Sequence, residues 1–114
     1  MHSDCLFCKI ARGELGTELV LETENFVAFR DINPQAPTHI LVIPREHIAS
    51  LDQLEPRHGE IMGEALLAIQ TLAKQENLDQ GYRVVVNTGS HGGQSVAHLH
   101  FHLLGGRSLQ WPPG

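Results

Sequence analysis

The spacing of apolar and polar positions changes along this chain, and each spacing marks an element. "HILVIP", residues 39–44, is an almost unbroken apolar run. It predicts a strand covered on both faces. Before it, "TELVLET" and "NFVAFRD" read as two short strands joined as a hairpin at Glu24-Asn25. "INPQAPT" carries Pro34 and Pro37 and reads as a loop. Apolar residues then recur at Met62, Ala65, Leu66, Ile69, Leu72 and Ala73, the i, i+3, i+4, i+7 pattern of a long amphipathic helix. Pro56 fits its first turn. Glu55, Glu60 and Glu64 lie towards its positive end, and Asn77 with "LDQG" ends it. "YRVVVN" predicts a strand, "TGSHGGQS" a glycine-rich loop, and "VAHLHFHLL" a last strand stopped by Gly105-Gly106. "CLFCKIARGEL" predicts a short helical turn ending near Gly13, and "LQWPPG" an irregular tail.

The order β-β-β-α-β-β leaves little room for crossover helices. It predicts an α+β fold: an antiparallel five-stranded sheet, one long helix over a face, and a short N-terminal helix. The 114 residues, 41% of them apolar, suit one domain over 1–114, with 105–114 as a C-terminal tail.

Charge narrows the partners. Eight Lys and Arg against 13 Asp and Glu give a net charge of −5, which argues against a nucleic acid backbone as partner. A single nucleotide stays open, because backbone N–H groups can hold it. No apolar run approaches the roughly 18 residues of a membrane span. "MHSDCLFCKI" lacks the basic and apolar regions of a signal peptide. The expectation is a soluble, cytoplasmic protein with no membrane partner.

The candidate chemistry lies in the last strand. His98, His100 and His102 alternate, so they share one face while Leu99, Phe101 and Leu103 face the helix. Neighbours on one face stand about 6.5–7 Å apart, so a group the size of phosphate can touch two imidazoles. A merely polar outer face does not account for three histidines in strict alternation beside a glycine-rich loop. A binuclear metallohydrolase barrel needs roughly 250 residues, and a cupin-type site wants a downstream Glu that does not follow His102. Nucleophilic attack on phosphorus fits better. The loop "SHGGQS" would supply free N–H groups and the Ser95 hydroxyl to phosphate oxygens. His58 reads as a solvated helix residue, His91 as near the substrate, and His2 as outside the scheme. Cys5 and Cys8, in "CLFC", are no disulfide framework, and a redox pair would follow a strand. Half of a zinc site fits the spacing better.

His98-Leu99-His100-Phe101-His102-Leu103-Leu104 resembles the signature of the histidine-triad (HIT) nucleotide hydrolases. "DINPQAPTHILVIP", "GYRVVVN", "GGQSVAHLHFHLLGGR" and "WPPG" resemble the Hint branch, the purine nucleoside phosphoramidases. Ala97 stands where Hint proteins often carry tyrosine. The resemblance implies hydrolysis of the P–N or acyl-phosphate bond of purine nucleoside 5′-phosphoramidates or aminoacyl adenylates. His100 would form the nucleotidyl-histidine, and nucleoside monophosphate would be released. His102, His39 and Ser95 complete the implied catalytic set. Nucleotide contacts would come from Phe7, Asp31, Ile32, Asn87, Gly93, Gln94, Ser95, His100 and His102. Asp31 would hold the ribose hydroxyls, and Phe7 and Ile32 would flank the base. The resemblance also implies a homodimer that joins sheets and packs long helices. The partner subunit's Trp111 would then contact substrate. The resemblance further implies a structural Cys2His2 zinc site from Cys5, Cys8, His47 and His98, with no organic cofactor. The alternative is a purine-nucleotide sensor or interaction module whose hydrolysis is incidental.

Overall fold

A computed structural model describes residues 4–114, so the reading of His2 lies outside the described residues. Five strands form one antiparallel sheet: β1 (Leu21–Glu22), β2 (Phe26–Arg30), β3 (Thr38–Pro44), β4 (Tyr82–Val85) and β5 (Phe101–Gly105), in the order β1-β2-β3-β5-β4. The short helix α1 is Leu6–Ala11 and the long helix α2 is Gly59–Gln75. The expected α+β architecture is present.

The centre of the sheet is β3, and every residue of it is buried. Its alternating side chains feed two cores. Ile40 and Val42 join Phe26, Ala28, Phe101 and Leu103 under Ala65, Ile69, Leu72 and Ala73 of α2. Leu41 and Ile43 join Val27 and Phe29 under Phe7, Ile10 and Ala11 of α1. Cross-strand register pairs Leu41 with His102 and His39 with Leu104. Residues opposite one another share a face, so His102 and His39 lie on the α1 side and Phe101 on the α2 side.

Three expectations need correction. The last strand begins at Phe101, not Val96. β3 ends at Pro44, which has no N–H to extend the ladder. Upstream of Phe101, Leu99 N–H instead bonds the Ile48 carbonyl at 2.6 Å. β1 covers two residues of the longer segment expected, although Thr23 and Phe26 close the predicted hairpin around Glu24-Asn25. His58 is not solvated but buried. Glu55 N–H donates to its Nδ1 at 2.9 Å, and its Nε2 lies 3.1 Å from Glu46 Oε2. Both ring nitrogens are satisfied, which removes the penalty for burying them. Pro56 opens a separate 3-10 turn, Pro56–His58, that runs into α2. Asn77, at φ 59°, adopts the left-handed conformation that ends the helix.

Candidate functional site

The histidine row survives the loss of regular strand. His98 and His100 are buried in the irregular segment before β5, and His102 is half-buried within β5. The rings of His100 and His102 are 5.0 Å apart. Phe7 of α1 packs edge-on against His100 at 5.1 Å and His98 at 6.0 Å.

Hydrogen bonds fix which nitrogen carries each proton. His100 Nδ1 lies 2.7 Å from the His98 carbonyl oxygen. A carbonyl only accepts, so Nδ1 holds the proton and Nε2 keeps its lone pair. Gln35 N–H donates to His39 Nδ1 at 3.0 Å. His39 Nε2 therefore carries the proton and donates it to His102 Nδ1 at 2.9 Å. That leaves His102 Nε2–H as a donor. Asp31 Oδ2 lies 3.5 Å from His39 Nε2.

The electrostatics keep this chain neutral. Burial lowers the pKa of His39 against the pull of Asp31. Burial, and then the proximity of His100 and His39, lowers His102 to about 4.

Beside the row lies a second cluster. The donor atoms of Cys5, Cys8, His47 and His98 all lie within 4.8 Å of one another. Cys8 Sγ is 3.2 Å from His47 Nδ1 and 3.5 Å from His98 Nδ1, and Cys5 Sγ is 3.4 Å from His98 Nδ1. Donors around a tetrahedral metal stand about 3.3–3.8 Å apart. His98 Nε2 donates to the Pro44 carbonyl at 2.9 Å, which turns its lone pair at Nδ1 towards the sulfurs. Metal-bound imidazoles show this same outer bond. Burial, and then Cys5, pushes the Cys8 thiol up to about 11; a cation beside the sulfurs reverses that. The four residues fit a tetrahedral metal. Asp31, His39 and His102 also form a compact cluster, but the Gln35 amide puts the His39 proton on the inward-facing Nε2. The Asp31–His39–His102 cluster is built for hydrogen bonding.

The other expected contacts vary in setting. Ile32 is fully exposed (101%) and Trp111 is 80% exposed. Phe7 is buried among the α1-side core. Asp31 Oδ1 accepts Asn33 N–H at 2.8 Å. Asn87 Nδ2 donates to the Gly92 carbonyl at 2.6 Å. Gly93 has φ 78°. Ser95 is exposed and lines a cavity of about 450 Å³ with Cys5, His47 and Ala97.

The loop does not present all its amides as expected. Gly93 N–H bonds Ser90 O, Gln94 N–H bonds Gly89 O, and Gly89 N–H bonds Gln94 Oε1. Gln94 Nε2 donates to the Ala49 and Val96 carbonyls, so this side chain fastens the loop to the body. The sequence does not mark Gln35, because its role comes from its main chain. Nor does the sequence disclose Glu46, which binds both Arg57 and His58.

This arrangement defines a class: an α+β sheet protein with a row of histidines beside a Cys2His2 pocket. Residues 12–109 match the HIT domain family, and the chain belongs to it. A 14 kDa zinc-binding protein of Zea mays is 53% identical over 114 residues, covering 98% of this chain and 89% of that one. Adenylylsulfatase HINT1 of Arabidopsis thaliana is 46% identical over 114 residues, covering 98% and 78% respectively. The crystal structure of a HIT family hydrolase from Legionella pneumophila superposes with a TM-score of 0.94 at 51% identity, covering 96% and 99%.

Proposed function

We propose that the chain is a nucleotide hydrolase that cleaves purine nucleoside 5′-phosphoramidates or aminoacyl adenylates through a nucleotidyl-histidine on His100. The observation that carries this reading is the 2.7 Å bond from His100 Nδ1–H to the His98 carbonyl. It leaves Nε2 as an unprotonated nucleophile. Nε2 attacks the α-phosphorus and the P–N bond breaks, or the P–O bond of an aminoacyl adenylate; the leaving group departs with the bond's electron pair, an amine taking its proton from water and a carboxylate leaving as the anion. Water then attacks the same phosphorus and releases nucleoside monophosphate and free His100. His102 Nε2–H stabilises the charge on the phosphate oxygens throughout. The hydrolase and adenylylsulfatase names of the relatives support the reaction class.

Asp31 is assigned to the ribose hydroxyls and the exposed Ile32 to the base. Phe7 lies against the reacting imidazole and is assigned to the floor of the base site. Asn87, Gly93, Gln94 and Ser95 shape the phosphate side. Structural zinc on Cys5, Cys8, His47 and His98 joins α1 to the sheet; the zinc-binding relative supports it. Exposed Leu66 and Leu67 on α2, with Tyr82 and Val84 on edge strand β4, support a homodimer built through helices and sheet edges. The partner subunit's Trp111 would then reach the substrate. Among the described residues no helix is long and apolar enough to cross a membrane.

The test is AMP release from adenosine 5′-phosphoramidate by the parent and by His100→Ala. Turnover in the parent and its collapse in the variant are expected. Turnover unaffected by the change would refute the mechanism. Tight nucleotide binding without turnover in the parent would favour a sensor instead.

A further inference from the structure

Arg107 lies outside every role assigned so far, yet its guanidinium is fixed at two points. Nη1 donates to the Ser108 carbonyl at 3.0 Å and Nη2 to the Gln35 carbonyl at 2.9 Å. Gln35 is the residue whose N–H donates to His39 Nδ1 at 3.0 Å. The carbonyl and the N–H of Gln35 sit on neighbouring peptide planes, joined through its φ and ψ. Anchoring the carbonyl narrows the conformations open to the loop and so helps keep the N–H aimed at His39. Two further features support this geometry. Gly106, at φ 91°, brings the chain against Pro37, and a Cβ there would stand 2.9 Å from Pro37 Cβ. Gln35 Nε2 also donates to the Asn33 carbonyl at 3.0 Å, so the loop is gripped from within as well.

We propose that Arg107 is a positioning residue: through Gln35 it selects the tautomers of His39 and His102, and so decides whether His102 meets the substrate as donor or acceptor. The inference rests on the phosphate-binding role proposed for His102. Its logic is a two-state choice. With the Gln35 amide on Nδ1, His39 donates from Nε2, His102 accepts at Nδ1, and His102 Nε2–H faces outward. If the amide swings away, His39 can carry its proton on Nδ1. Its Nε2 then accepts from His102 Nδ1–H, and His102 Nε2 turns a lone pair towards an anionic phosphate. One displaced main-chain group converts attraction into repulsion at the site of greatest charge.

Two-bond ¹H–¹⁵N correlation spectra of histidine-labelled protein read each tautomer without any substrate. The parent is expected to show His39 and His102 both protonated at Nε2. Arg107→Ala is expected to give mixed tautomers at both rings, with kcat on adenosine 5′-phosphoramidate falling about tenfold and KM little changed. Arg107→Lys keeps a cationic donor on a long stem, and recovery of both signals is expected. Should Arg107→Ala not fold, Gln35→Pro deletes the N–H directly and is expected to give the same mixture. Unchanged tautomers in folded Arg107→Ala, or a parent with His39 protonated at Nδ1, would overturn the proposal. A parent with the expected tautomers and no phosphoramidate turnover would overturn only the substrate reading on which it rests.

Discussion

His98 serves two structures with two different parts of itself, and His98→Ala separates them. The side chain is 0% exposed, and its Nε2–H satisfies the buried Pro44 carbonyl at 2.9 Å. Leaving that carbonyl unpaired costs about 1–3 kcal/mol. Emptying the volume of a buried ring costs about 2–5 kcal/mol by analogy with other large-to-small changes. The two overlap, so a loss of about 3–6 kcal/mol is expected, against a typical total of about 5–15 kcal/mol. Urea unfolding followed by circular dichroism should show the midpoint falling by about 1.5–3 M, for a slope near 2 kcal/mol/M. The main-chain carbonyl that orients His100 is retained in the variant. Below the transition, folded His98→Ala should therefore keep far more activity than His100→Ala. A stability loss under about 1 kcal/mol would refute the packing argument. A folded variant as inactive as His100→Ala would refute the division between side chain and carbonyl.

Metal analysis of protein purified without chelator should find one zinc per chain, lost in Cys8→Ala, and chelation should lower the melting temperature of the parent. Because His102 titrates near 4 in the fold against 6.5 for an ordinary histidine, the unfolded chain binds that proton first. This contribution to stability is constant above pH 6.5, falls as pH drops towards 4, and levels off below; His39 shifts in the same direction. Replacing His102 by glutamine should flatten the slope of unfolding free energy in that window. A Cβ at position 92 would overlap the Thr88 carbonyl oxygen and stand 2.9 Å from Thr88 N, whereas one at Gly89 meets nothing within 4 Å. Gly92→Ala should therefore deform the loop that Asn87 braces and cut turnover, while Gly89→Ala costs only the strain of its φ of 72°, about 1 kcal/mol. Equal turnover in the two variants would argue against a substrate role for the loop.

Much of this was legible because it rests on periodicity. The apolar run at 39–44 announced the central strand, and helical spacing from Met62 to Ala73 announced α2. Alternation put His98, His100 and His102 together, even though ladder pairing begins only at Phe101. Ligand type and family resemblance gathered Cys5, Cys8, His47 and His98 across 93 positions. Main-chain chemistry was not legible. Nothing in the letter for Gln35 says that its amide sets a tautomer, nor in His58 that Glu46 and the Glu55 amide make its burial tolerable. Gln94 enters as a nucleotide contact through the family resemblance, and its letter does not disclose that its side chain also holds the Ala49 and Val96 carbonyls.

The cross-strand register of β3 and β5 has a consequence for which parts of the chain can change length. His39 and His102 meet because Leu41 stands opposite His102 and His39 opposite Leu104. Inserting one residue within β5 upstream of His102 would point that ring into the α2-side core and bring an apolar neighbour to the reaction. The stretch at 15–18, between the end of α1 and the core contacts of Leu19 and Val20, carries no such constraint. Insertions should be tolerated there and should abolish activity between Phe101 and Leu104, so length variation along this fold would map its catalytic ruler.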